Sequence, residues 1–137
     1  MPNKIADFLF VKTGVPKLQK YLDLTSVRHK LIGGNIANSS TPGYRSKDIN
    51  FQDEFNKATG QEKSVKGFTT DNQHIPLGQH RNRPPEVDEI KVHEGDLNSV
   101  DIDKEISSLA QNELTFNIGA RLIKMKFDGL RKAITSK

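Results

Sequence analysis

The chain has 137 residues, enough for one domain of ordinary size and too few for a separate cofactor domain. Apolar residues make up only 34%, charged residues 28%, and Trp and Cys are absent, so the core is thin, and disulfides, thiolate nucleophiles and thiolate metal ligands are excluded. The net charge of +4 divides into +5 over residues 1–49, −3 over 50–97 and +2 over 98–137, with no Lys/Arg cluster and no zinc-finger or RNP-type motif, which counts against nucleic-acid binding.

At the N-terminus the apolar stretch Phe8 to Val11 is too short for the core of a secretory signal, and no apolar run approaches the roughly 20 residues of a membrane span. Any passage out of the cytoplasm is therefore expected by a route other than a cleaved Sec signal. From Pro16, a good first-turn residue, steps of four and three visit Leu18, Leu22, Thr25, His29, Ile32 and Ile36, while Tyr21, Leu24 and Leu31 widen the apolar arc. This is an amphipathic helix with an arc broad enough to touch more than one neighbour.

The helix should stop in the run Gly33-Gly34-Asn35-Ile36-Ala37-Asn38-Ser39-Ser40-Thr41-Pro42-Gly43-Tyr44. Asn38 suits a left-handed cap, Pro42 and Gly43 suit the two central positions of a type II turn, and Gly33-Gly34 would let a neighbouring backbone come close. A cap followed by a turn accounts for every residue type here without a ligand.

Residues 50–99 hold four glycines, the Pro76 and Pro84-Pro85 breaks, and scattered apolar anchors such as Phe51, Phe55, Phe68 and Ile75. The pattern predicts a loop-rich segment, partly disordered in the free chain or ordered by partners, with short strands at Lys66 to Thr70 and Glu89 to His93.

From there, steps of four and three visit Ile102, Ile106, Leu109, Glu113, Phe116, Ala120, Ile123, Phe127, Leu130 and Ile134, and only Glu113 is not apolar. Such an a/d seam predicts a long helix that buries one narrow stripe against another helix. Asp101 is the expected N-cap, with Asp103 and Glu105 near the positive end of the helix dipole and Arg131 and Lys132 near the negative end. Its length would be about 50 Å, against a radius of gyration of about 14 Å for a compact chain of this size, so it must project from the body or break at Gly119 or Gly129.

No chemistry-bearing constellation emerges. The spacings of His29, His74, His80 and His93 match neither HExxH nor a compact zinc motif, there is no Gly-x-Ser-x-Gly elbow, and Gly33-Gly34 lacks the Lys-Ser/Thr ending of a phosphate loop. We expect no enzyme activity, no metal and no cofactor. A small hydrolase would need an organised polar site, and a basic helical-bundle nucleic-acid-binding protein, the alternative, would need a basic face.

The sequence strongly resembles the bacterial flagellar rod and hook proteins. Their signature, an Asn-Ile-Ala-Asn element followed by Thr-Pro-Gly-Tyr or Phe, stands here as Asn35, Ile36, Ala37, Asn38 and Thr41, Pro42, Gly43, Tyr44. The likeness continues through Arg45 to Phe51, His74-Ile75-Pro76 and Asn98 to Glu105, spanning about residues 17–135. The short length is unlike the distal rod and hook members, and the unsplit Thr-Pro-Gly-Tyr points to one proximal-rod branch. The resemblance implies a structural subunit of the proximal rod in the periplasmic space, exported unfolded by the flagellum's own type III apparatus and assembled helically to transmit torque. It further implies contacts with copies of itself, other rod proteins, basal-body adaptor proteins, the inner-membrane ring and the export gate.

The expected fold is mainly α. Residues 1–40 and 100–137 form one discontinuous helical domain, paired as a coiled coil, around an irregular, weakly β segment at 41–99. Leu18, Leu22, Ile32 and Ile36 on the first helix, with Ile102, Ile106, Leu109, Phe116, Ile123, Phe127, Leu130 and Ile134 on the last, form the expected assembly seam.

Overall fold

The computed structural model describes residues 13–61, 83–90 and 99–135. Helix α1 spans Val15–Ala37, strand β1 Lys47–Asp48, helix α2 Phe51–Thr59, strand β2 Asp88–Glu89 and helix α3 Ile102–Thr135. The fold is mainly α, as expected, and the two long helices pack against one another.

Each helix begins where its sequence permits. Gly14, at φ 75°, turns the chain into α1, and Pro16 occupies its first turn. Asp101 caps α3 as expected, its Oδ1 accepting from the backbone N–H of Asp103 at 3.0 Å and of Lys104 at 3.2 Å. Helix α3 then runs unbroken through Gly119 and Gly129 for 34 residues, about 51 Å at 1.5 Å per residue.

Helix α2 corrects the loop-rich expectation for its part of the middle segment. Asn50 accepts from Asp53 N–H at 3.3 Å to start it. At its end Gly60 is left-handed at φ 69°, with Gly60 N–H on Lys57 O at 3.2 Å and Gln61 N–H on Asn56 O at 2.9 Å, a Schellman ending. Tyr21 of α1 anchors it edge-on to Phe51 and Phe55, at centroid distances of 5.1 and 5.8 Å. Lys57 Nζ donates to Glu54 Oε1 at 2.7 Å and lies 3.5 Å from Glu86 Oε2. Its ammonium is held above the usual lysine pKa, chiefly by the Glu54 hydrogen bond.

Strands β1 and β2 form a two-residue antiparallel ladder, Lys47 opposite Glu89 and Asp48 opposite Asp88. This overlaps the start of the strand expected at Glu89 to His93; residues 91–98, the expected strand at Lys66 to Thr70, Phe68, Ile75, His74, His80 and His93 lie outside the described residues.

The buried apolar set among the described residues is Val15, Leu24, Ile32 and Ile49, joined by the buried polar residues Thr25, Asn35, Ser46, Glu54, Glu105 and Asn112. Packing therefore depends heavily on satisfied polar contacts, and no buried side-chain N or O among the described residues lacks a partner.

Candidate functional site

The Asn-Ile-Ala-Asn and Thr-Pro-Gly-Tyr elements meet in a polar junction at the C-terminal end of α1. Asn35, 1% exposed, is its centre. Its Nδ2 donates to Lys47 O at 2.9 Å and to Glu105 Oε1 at 3.1 Å. Its Oδ1 accepts from Lys47 N–H at 2.9 Å and from Tyr44 Oη at 3.3 Å. Both amide hydrogens and both acceptor sites are thereby used, and one side chain joins α1, the turn, β1 and α3.

Around it the chain is fixed by short-range geometry. Tyr44 N–H donates to Thr41 O at 3.2 Å and Gly43 sits at φ 75°, so the type II turn is present where Pro42-Gly43 placed it. Asn38 differs from expectation: its φ is −103°, not left-handed, and it closes the helix through its side chain, Nδ2 donating to Gly34 O at 2.8 Å. Thr41 Oγ1 lies 3.3 Å from Asn38 Oδ1. Ile36 is half-buried and Ala37 exposed. Among the described residues, Gly33 has open space where a Cβ would stand and the nearest atom at Gly34 is Tyr44 Oη at 3.8 Å, so no described backbone approaches this pair.

Two further ties hold the junction. Ser46 N–H donates to Ser99 Oγ at 2.7 Å and Ser99 N–H to Tyr44 O at 3.4 Å, fastening the entry of α3 to the turn. Arg28 of α1 grips Asp48 bidentately, Nε to Oδ1 at 2.9 Å and Nη2 to Oδ2 at 2.8 Å. Both side chains are about a third exposed, so the fork orients β1 more than it stabilises the fold.

From the junction α1 and α3 run antiparallel. Asn35 meets Glu105, Asn112 Nδ2 donates to Thr25 O at 3.0 Å, and a Cβ on Gly119 would stand 2.9 Å from Leu22 Cδ2 and 3.2 Å from Tyr21 Cδ1. The buried line of α3 is thus Glu105, Asn112 and Gly119, at heptad spacing. Within the single chain the expected seam is only partly buried. Leu109, Ala120, Ile123 and Leu130 are half-buried, whereas Ile102, Ile106, Phe116, Phe127 and Ile134 are exposed. The Ile106–Glu113–Ala120 line gives way to residues one position earlier, about 100° round the helix. Apolarity could not locate it, because hydrogen bonds and close approach hold it. On α1, Ile32 is buried, Leu18, Leu22 and Ile36 are half-buried, and His29 is exposed.

An open cleft of about 440 Å³ lies beside this interface, between Ser26, His29 and Lys30 of α1 and Glu113, Phe116 and Asn117 of α3. On the opposite side of α3, Leu114, Ile118, Leu122 and Met125 form a second apolar stripe that is exposed, and the sequence reading missed it. Its signal was present in the four-four-three spacing, masked by the longer seam beside it. No group of three or more His, Asp or Glu side chains among the described residues could hold a metal ion, and no described helix is long and apolar enough to cross a membrane.

No family model matches the sequence. Individual relatives do. The flagellar basal body rod protein FlgB of Aeromonas hydrophila is 33% identical over 122 residues, covering 85% of this chain and 88% of that protein. FlgB of Salmonella typhimurium is 32% identical over 124 residues, covering 85% and 88%, and FlgB of Bacillus subtilis is 27% identical over 122 residues, covering 88% and 92%.

Proposed function

The chain belongs to the FlgB family of flagellar basal-body rod structural proteins, and from that premise we propose that it builds the proximal rod by helical assembly through α1 and α3. In that position it links the inner-membrane ring and export apparatus to the distal rod and transmits torque, without catalysis. Its partners are copies of itself, other rod proteins, basal-body adaptor proteins and the export gate. It reaches the periplasmic space by the flagellum's own export route.

The observation that carries this reading is the division of labour along α3. One side closes the molecule through Glu105, Asn112 and Gly119, while Ile102, Ile106, Leu114, Ile118, Leu122 and Met125 face outward. An isolated helix hairpin has no use for that much exposed apolar surface, and burying it against neighbours would drive assembly. The polar junction at Asn35 supports the reading as a rigid coupling, since it ties both long helices to β1 by fully satisfied hydrogen bonds.

The test is genetic and biochemical. In a flagellated bacterium deleted for its own FlgB-family protein, this chain should restore motility and be recovered in purified basal bodies. Secretion without incorporation into basal bodies, or no recovery of motility from a stably expressed chain, contradicts the proposal.

A further inference from the structure

The two-stranded sheet is closed on one edge and open on the other. Its register pairs Lys47 with Glu89 and Asp48 with Asp88. Because the backbone N–H and C=O of Lys47 both turn to Asn35, Lys47 and Glu89 form a non-hydrogen-bonded pair, and Glu89 points its own N–H and C=O away from β1. Ile90 N–H donates to Ser46 O at 2.9 Å, which fixes the same alternation. By that alternation Val87 also points outward, and no described residue bonds the outward backbone groups of Val87 or Glu89. Pro85, the next outward position, has no N–H, so the usable edge begins at Val87.

We propose that this edge takes up an extended basic segment of another protein as a third, antiparallel strand. The surface is separate from the faces of α1 and α3. Residues 86–90 are all exposed, with Val87 at 43% and Ile90 at 39%, so the edge offers four backbone groups flanked by two apolar side chains.

Charge selects the occupant. Asp88 stands across the ladder from Asp48, a like-charge pairing, and Asp48 already holds Arg28 by both oxygens. No described cation lies within ion-pair distance of Asp88, whereas Glu86 has Lys57 and Glu89 has Lys47. Against a third strand Asp88 falls in a non-hydrogen-bonded pair, where facing side chains come closest, so a lysine or arginine opposite it supplies the missing counter-charge. The same geometry argues against a second copy of β2. Antiparallel self-pairing about the middle of this edge would set Asp88 directly against Asp88. Acids on an open edge thus reject indiscriminate pairing and admit a basic strand.

The probe is an end-blocked peptide with the sequence valine, lysine, arginine, valine, lysine, which places arginine opposite Asp88 and the second valine opposite Val87. It is titrated into the isotope-labelled full-length chain and followed by amide NMR. The expected result is saturable shifts of the Val87 and Glu89 amides. N-methylation of the second and fourth peptide residues, whose N–H groups face β2, should weaken binding about tenfold or more. N-methylation of the third and fifth, whose N–H groups face away, should change it by less than about twofold. Asp88→Lys, at an exposed position and checked for unchanged helicity by circular dichroism, should also weaken it about tenfold, and glutamate in place of the peptide's arginine should restore it. Absence of binding at millimolar peptide overturns the proposal. So does an affinity indifferent to the N-methylation pattern, which would mean attraction by charge alone. Slower hydrogen exchange at Val87 and Glu89 than at Asp88 and Ile90 in the free chain also overturns it, because the edge would then be covered by the chain itself.

Discussion

The side-chain amide of Asn35 pairs with the backbone of Lys47 as a neighbouring strand would, donating to its carbonyl and accepting from its N–H, both at 2.9 Å. A two-residue strand has too few ladder bonds to hold itself. A buried amide supplies the missing edge, and the same Nδ2 reaches Glu105 on α3. The first Asn of the signature is thus explained by hydrogen-bond capacity: only a planar group with two donors and a two-site acceptor serves all four contacts.

Asn35→Ala should leave the Lys47 peptide groups and Glu105 Oε1 without this partner, at about 1–3 kcal/mol for each group that stays buried. Asn35→Asp has the right shape and the wrong chemistry, placing carboxylate oxygens against Lys47 O and Glu105 Oε1. The expected order of thermal midpoints is wild type, then Ala, then Asp. An Asp variant as stable as wild type removes the amide argument.

The two glycines of α3 should respond in opposite directions. At Gly129 no described residue lies within 4 Å of an added Cβ, so Gly129→Ala keeps the helix-propensity gain of about 1 kcal/mol. At Gly119 the same gain is offset by overpacking of about 1–3 kcal/mol against Leu22 and Tyr21. Alanine there is borderline, because Leu22 Cδ2 ends a movable side chain; Gly119→Val, larger and β-branched, is clearly destabilising. Unfolding midpoints should rise for Gly129→Ala and fall for Gly119→Val.

These residues also mark how far the sequence could be read. Pro16, Asp101 and Pro42-Gly43 act locally, through fixed φ, a side-chain acceptor and a positive φ, and each was legible without tertiary information. The existence of both long helices followed from their period. The rotation of α3 did not, because Glu105 and Asn112 look like solvent-facing residues until Asn35 and the Thr25 carbonyl are brought opposite them from seventy and eighty-seven residues away. Helix α2 was legible in principle, from the Asn50 cap with Asp53 three residues later and from Gly60 at the end. The Phe51 and Phe55 rings read as scattered anchors in the sequence because their partner, Tyr21, lies in another helix.

Charge placed on α3 should separate folding from assembly. Ile123 is half-buried, whereas Phe127 is 46% exposed. Ile123→Asp loses apolar burial and strands a charge unless it reaches water, so helicity of the free chain should fall. Phe127→Asp should leave that helicity unchanged and block recovery in basal bodies, if the end of α3 is covered by a neighbour. Equal helicity and equal incorporation of both variants would show that this side of α3 has no packing role.

Gly43 offers a test in which crowding plays no part. Its φ is 75°, and a Cβ there would meet nothing within 4 Å among the described residues, so a substitution acts through backbone preference. A β-branched residue in the left-handed region is strained by roughly 1–2 kcal/mol, while Asn enters it more readily. The turn fixes the direction from Asn38 to Tyr44, and Tyr44 Oη reaches Asn35 Oδ1 at 3.3 Å. Gly43→Val should therefore loosen the junction at its centre, and Gly43→Asn should loosen it less. The expected ranking, wild type above Asn above Val, applies both to the thermal midpoint of the purified chain and to recovery in basal bodies. Val and Asn variants of equal stability would detach the turn's φ from the integrity of the junction. A ranking seen in stability but absent from incorporation would show that neighbouring subunits restore the turn on assembly.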